Sequence, residues 1–345
     1  MHPVHQKLLD AVIQKAELCC PGAVDLIGLY GSCATGDTHQ RSDLDLLILI
    51  NRPEGRAVSD AFVLEDSGVG YDLYCTTWEG LEEDARCPHA HLGKLMDAQI
   101  VWVGNPRALT RLEDLRQQAK ALLASSRRFV PARQALSAAK QCYADCLLSG
   151  NLSEMRYHAG GAVSMALDAL MLYHGRYFQK SVRRTFEETD DLALPFDLRQ
   201  LVHNVITAGE KENLREALTA LLSALCGVMT FPAENAAPDG GILAGTWEEA
   251  VSNWRGKLWD ACRREDPFAA FINLVFCQHF FREVAGDTGL SAPDVLEAFR
   301  PEDLSAAAAA FDRALEQWRL QCDRAGTCLR RFAHVDAFLE EYLRK

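Results

Sequence analysis

Asp43 and Asp45 open a nearly all-apolar run, residues 44–50, that reads Leu-Asp-Leu-Leu-Ile-Leu-Ile. Such a run predicts a strand buried on both faces, and hence central in its sheet. Side chains alternate across a strand, so two acids two residues apart project from one face. Two neighbouring carboxylates repel, and only a cation or a shared proton relieves them. An all-oxygen pair of this kind suits Mg²⁺, which in turn binds phosphate oxygens.

A second apolar stretch, residues 24–30, predicts the preceding strand, and Gly31-Ser32 stands at its end. Glycine lets a phosphate approach the backbone closely. Ser32 offers a hydroxyl and an amide N–H at the start of a turn or short helix over residues 31–37. A third carboxylate would complete a two-metal site, in which one ion activates the attacking oxygen and the other steadies the leaving group. Asp72 is the best placed, in a strand predicted over 69–76 with Tyr71 and Leu73 facing the other way; Glu65 and Asp66 compete from a turn. Asp72 could ligate metal, accept the nucleophile's proton, or do both.

The surrounding pattern predicts an α+β chain. A helix over 4–19 precedes the motif. Strands follow at 61–64, 69–76 and 100–103, with helices at 78–85, 91–98 and 109–123, the last capped by Thr110. Beyond Pro131 the periodicity is helical throughout, with alanine-rich stripes suited to close helix packing, and the helices from 247 on place Trp247, Trp254 and Trp259 in a core. A Pro- and Gly-rich stretch at 231–245 reads as a linker or long loop. The expected organisation is a mixed-sheet catalytic domain over 1–128, a helical bundle over 129–230 that could bind the acceptor, and a helical extension over 231–345.

A formal net charge of −12 argues against stable nucleic-acid binding, which relies on basic surface. The twelve cysteines are scattered without a CxxC pair. They read as reduced, mostly buried thiols of a cytoplasmic protein. Cys87, His89 and His91 could ligate a metal, but alternate spacing on a loop is weak support. The first residues lack a signal-peptide apolar core, and no apolar run approaches the roughly 18 residues of a membrane span. Nothing in the pattern bears on oligomeric state.

Gly31-Ser32, the Asp43-x-Asp45 pair in its apolar strand and Asp72 in a later strand resemble the nucleotidyltransferase fold of the DNA polymerase β-like superfamily. The phrase from Leu29 to Asp37, followed by Arg41-Ser-Asp-Leu-Asp-Leu-Leu, is most similar to the small bacterial members, the aminoglycoside and minimal nucleotidyltransferases. The motifs span residues 24–76, and the α/β layout extends the likeness to about 125. The helical part resembles the kanamycin nucleotidyltransferase-like and HEPN-like bundles, through Leu172-Tyr-His-Gly-Arg-Tyr-Phe-Gln-Lys180. It carries no Arg-x4–6-His ribonuclease motif.

The resemblance implies Mg²⁺-dependent transfer of a nucleoside monophosphate from an NTP, with ATP expected, to a hydroxyl of a small molecule, releasing pyrophosphate. Asp43 and Asp45 would hold Mg²⁺, Gly31 and Ser32 the triphosphate, and Asp72 would complete the site. Arg41 and Lys180 could also meet the phosphates, or be plain solvated residues. The alternatives are nucleotidylation of a protein or an RNA, and a non-catalytic nucleotide-binding module. His158 and His174 read as ordinary helix histidines, and Arg183-Arg184 as a solvated helix start.

Overall fold

A computed structural model describes residues 2–36, 42–180, 182–231 and 240–344. The first helix, α1 (Pro3–Cys19), carries its proline in the first turn, where a missing N–H costs nothing. It lays His5, Leu9, Val12 and Ala16 on the sheet that follows. Gly22, at φ +70°, turns the chain into β1 (Val24–Leu29).

A short helix, α2 (Gly31–Thr35), leads on towards β2 (Leu46–Ile50), which is wholly buried. After a 3₁₀ turn (Pro53–Val58) come β3 (Asp60–Leu64), β4 (Val69–Leu73) and β5 (Cys75–Thr77). Then follow α3 (Trp78–Asp84), the single turn α4 (Gly93–Met96), β6 (Gln99–Val103) and α5 (Pro106–Ala124).

The main sheet runs β5-β2-β1-β6, so β2 is interior, as its unbroken hydrophobicity requires. β1 pairs antiparallel with β2, and Leu29 faces Leu46 across the ladder. Beyond it Tyr30 N–H donates to Asp45 C=O (3.2 Å). That antiparallel pairing carries Gly31 to the Asp43–Asp45 end of β2.

Two expectations fail locally. The strand expected over 69–76 is two strands in two sheets: β4 pairs with β3 in a separate ribbon, and β5 pairs parallel with β2. Burial alternates without a break from Val69 to Cys75, with Tyr74 exposed between Leu73 and Cys75. A period of two therefore continues across a change of partner, and the pattern cannot reveal it. The cap of α5 is Asn105, whose side chain accepts from Arg107 N–H (3.2 Å), and Pro106 opens the helix; Thr110 lies inside it. The helix expected over 91–98 shrinks to α4.

Two long helices, α6 (Phe129–Leu148) and α7 (Leu152–Tyr173), form a hairpin, with Asn151 capping the second. Ala132, Ala135 and Ala139 on one and Ala159, Ala162 and Ala166 on the other are buried, which lets the backbones approach closely. The short α8 (Thr185–Thr189), α9 (Leu198–Thr207) and α10 (Lys211–Val228) complete this part. One hydrophobic core joins Leu26, Leu47 and Leu49 of the sheet to α5, α6, α7 and α10, and residues 1–231 form one compact unit.

The second unit spans 232–345. Most of the expected linker, 232–239, lies outside the described residues, and its end is the short helix α11 (Gly240–Leu243). The helical stretch expected from 247 on begins with α12 (Thr246–Ala250), a π-helical turn (Val251–Arg255) and α13 (Gly256–Arg263). Next come α14 (Pro267–Thr288), capped by Asp266 as the Asp-Pro pair predicts, α15 (Leu304–Arg324) and α16 (Val335–Tyr342). Its core is built on Leu274, Phe281, Phe311 and Trp318. Trp247 and Trp254 pack against that core, whereas Trp259 is 43% exposed, because a helix on a small core can bury only one side. Among the described residues no helix is long and apolar enough to cross a membrane.

Candidate active site

Gly31 sits at φ +62°, a conformation that disfavours side chains. A Cβ there would lie 2.7 Å from Asp45 Cγ and closer still to Oδ2. Glycine is thus what lets Asp45 lie over the turn between β1 and α2. Asp45 is half-buried, and its carboxyl titrates above the ordinary aspartate range because burial disfavours the charge and Asp43 repels it; a hydrogen bond from the Ser32 backbone N–H partly offsets this.

Asp43 and Asp45 precede β2 rather than lying in it, yet they keep the alternation of a strand. Leu44 between them is 2% exposed and turned into the core, while both acids line one cleft. The loop is pinned from behind. His5 Nε2–H donates to Ser42 C=O (3.2 Å), and Cys33 Sγ lies 3.5 Å from both His5 Nδ1 and the Asp43 carbonyl.

The cleft has a volume of about 720 Å³. That is within the size range of small-molecule sites. One wall is Tyr30, Gly31, Ser32, Asp43 and Asp45. Facing residues come from the end of α3, α4 and the loop between them, and from the segment after α7, among them Asp84, His91, Lys94 and Lys180. The Tyr30 phenol is pushed up to about 12, chiefly by burial and then by Asp45, Asp43, Asp72 and Asp84. Tyr30 therefore reports a concentration of negative charge around it.

The expected site residues fare differently. Gly31, Ser32, Asp43, Asp45 and Lys180 share the cleft. Lys180 pairs with Glu187 (3.2 Å), and its backbone N–H and that of Gln179 donate to the buried Glu188 carboxylate (2.9 Å each). Arg41 lies outside the described residues. Asp72 is exposed on β4 and does not line the cleft. The parallel register of β2 with β5 sets Ile48 beside Cys75, an offset of 27 residues, and the same offset points from Asp45 to Asp72. Asp72 itself lies on β4, whose ladder partner is β3. Among the described residues no group of three or more His, Cys, Asp or Glu side chains stands ready to hold a metal ion, so neither Asp43–Asp45–Asp72 nor Cys87–His89–His91 closes as a set.

Sequence reasoning passed over Asp84, Lys94, Asp97 and Asp168. Asp84 is held by Lys94 (3.5 Å) and His89 (3.7 Å). Asp97 accepts from the Tyr177 hydroxyl (2.8 Å), and burial raises its carboxyl. Asp168 had a signal available: it is an acid on the buried stripe of α7, between Ala166 and Ala169.

Gly31-Ser32 and the Asp43-x-Asp45 pair thus meet at one end of a mixed sheet and open on one cleft. Residues 6–97 match the family model described as the nucleotidyltransferase domain, and the chain is a nucleotidyltransferase by that domain. A solved structure described as a nucleotidyltransferase-like protein from Exiguobacterium sibiricum 255-15 aligns with 92% of this chain and 91% of its own, at 12% identity and a TM-score of 0.37. A search of curated protein sequences returned no match.

Proposed function

We propose that this enzyme transfers a nucleoside monophosphate from an NTP, with ATP the expected donor, to a hydroxyl of a small molecule, releasing pyrophosphate. The observation that carries the reading is Asp45 laid over Gly31 beside Asp43, at the edge of the cleft. The donor set fits a divalent cation. Asp43 adds to the cost of ionising Asp45, positive charge would relieve it, and an all-oxygen set suits Mg²⁺. When bound, the cation would neutralise the triphosphate and lower the cost of charge building up on the leaving group.

The chain's own residues divide the remaining work. Asp43 and Asp45 are the cation ligands, and Asp72, whose charge reaches the Tyr30 phenol, is the third carboxylate. The Ser32 hydroxyl and the Lys180 ammonium meet triphosphate oxygens, with Gly31 giving the phosphates room. Arg41 is a further phosphate contact. The other wall of the cleft, which carries Asp84, His91, Lys94 and Asp97, receives the acceptor.

The test is label transfer. The four α-³²P NTPs are incubated with Mg²⁺ and, in turn, aminoglycosides, lincosamides, RNA and a cell extract. Label is expected on a small hydroxylated acceptor. Label on RNA or protein would overturn the small-molecule reading, and no label with no calorimetric binding of Mg²⁺–NTP would overturn nucleotidyl transfer itself.

A further inference from the structure

Among the buried acids described, Asp25 and Glu188 are satisfied by several hydrogen-bond donors of their own surroundings. Asp168 is different. It is 2% exposed, on α7, and its Oδ1 meets the Ala90 N–H (3.2 Å) and the His91 imidazole, with Nε2 at 3.5 Å. A buried carboxylate is costly unless it is paired, and here the pairing group is a cleft residue. His91 is held firmly. Its ring stacks on Phe178 (centroids 5.1 Å apart, planes at 25°), and Phe178 N–H donates to the Ala90 carbonyl (2.7 Å). Its side chain remains 52% exposed and lines the cleft with Asp43 and Asp45. With Nε2 turned to Asp168, Nδ1 has no hydrogen-bond partner among the described residues.

The other bases of the cleft are occupied or shielded. Asp84 has one oxygen against Lys94 and the other against His89. Asp97 gives Oδ1 to Tyr177, and its Oδ2 is buried away from the opening. His89 faces Asp84 through Nε2, and its Nδ1 is buried. The charged and titratable groups around His91 are Asp168 behind it and, along the cleft, His89, Asp84, Lys94, Asp97, Lys180 and Arg183, with Tyr30, Asp43 and Asp45 on the other wall.

We propose that His91 is the general base of the reaction and Asp168 its positioning residue, an assignment that rests on the nucleotidyl-transfer reading above. Asp168 holds the imidazole in the tautomer protonated at Nε2. Nδ1 takes the proton as the acceptor O–H bond breaks. The freed oxygen pair forms the bond to the α-phosphorus, and the bond from that phosphorus to the β-phosphate bridging oxygen breaks, its electrons leaving with pyrophosphate. The imidazolium is stabilised by Asp168 until its proton passes to water.

The full chain is tested by two readouts. In ¹⁵N-histidine spectra, with the His91 signals assigned by their absence in His91→Asn, the neutral ring is expected to carry its proton on Nε2. A proton on Nδ1 overturns the proposal. In label transfer to the acceptor found above, His91→Asn is expected to lower kcat by about 100-fold or more, with the KM for the NTP and calorimetric Mg²⁺–NTP binding unchanged. The acid limb of the wild-type pH–kcat profile should be absent from that variant, and added imidazole should restore part of the turnover of His91→Gly. Asp168→Asn is expected to lower kcat by about 10- to 100-fold, again without a change in KM. Wild-type kcat in His91→Asn overturns the dyad and leaves nucleotidyl transfer standing. Absence of both NTP binding and label transfer in the wild type overturns that reading and the dyad with it.

Discussion

Replacing Gly31 with alanine separates a backbone cost from a cost in geometry. At φ +62° the new side chain is strained wherever it points, by about 1–2 kcal/mol. Gly36, at φ +73°, carries the same strain, but a Cβ there meets nothing within 4 Å. At Gly31 the Cβ falls 2.7 Å from Asp45 Cγ. Ordinary carbon–carbon contact is about 3.5–4.0 Å, so the carboxyl must retreat by about 1 Å. A misplacement of that size costs about 100-fold in turnover.

Both variants should therefore melt a few degrees below wild type, at about 2–4 °C per kcal/mol for a unit of this size. Gly36→Ala should keep wild-type turnover. Gly31→Ala should lose about 100-fold. Its apparent requirement for Mg²⁺ should also rise, because the displaced group is the proposed cation ligand. Thermal denaturation followed by circular dichroism and transfer of α-³²P label give the two readings. Equal turnover in the two variants would refute the claim that Gly31 exists to seat Asp45.

Asp43→Asn and Asp45→Asn should each lower pyrophosphate release by about 100-fold or more while leaving the melting temperature near wild type, since each removes several kcal/mol of charge stabilisation at the reacting phosphate. Lys180→Ala should weaken NTP binding by about tenfold in calorimetry, the worth of one charged contact to phosphate. Asp25 accepts from Asn51 Nδ2 (2.6 Å), Trp78 Nε1 (2.7 Å) and Asn105 Nδ2 (3.1 Å) near the opposite end of β1 from Gly31. Asp25→Ala orphans the buried indole N–H and should cost about 1–3 kcal/mol in urea unfolding, with turnover of the folded fraction unchanged. Burial raises the Asp97 carboxyl, so the folded state binds its proton more tightly than the unfolded chain does. That contribution to stability is complete below the ordinary aspartate value and is lost as pH rises through the raised one. Asp97→Asn keeps an acceptor for Tyr177 and should be more stable than wild type at neutral pH, with the difference vanishing in acid; equal urea midpoints at neutral pH would contradict this.

The legible part of the site is the part made by neighbours in the chain. Asp43 and Asp45 flank Leu44, and a period of two put both acids on the side away from the core before any partner strand was known. Gly31-Ser32 was legible because a glycine ending one apolar run and a pair of acids opening the next belong to adjacent strands, and adjacent strands usually pair. Asp72 was placed on a strand with its correct neighbours, but its strand changed sheets at Tyr74. The cap of α5 was misassigned because two polar residues five apart compete for one helix start, and the structure chose the one before proline.

What the sequence alone determined is the end of the domain that carries Gly31 and the two acids: the buried central strand, the shared face of Asp43 and Asp45, and the nucleotidyltransferase class that follows. Local periodicity and backbone chemistry suffice for that, since the residues lie within about fifteen positions of one another. Apart from Lys180, the far wall of the cleft was decided by tertiary structure. Asp168 lies 77 positions beyond His91 and meets it only because the apolar stripe of α7 packs against the loop before α4. The ring is fixed there by Phe178 from a third segment. No repeat length connects such groups, and burial of the surrounding apolar surface is what brings them together.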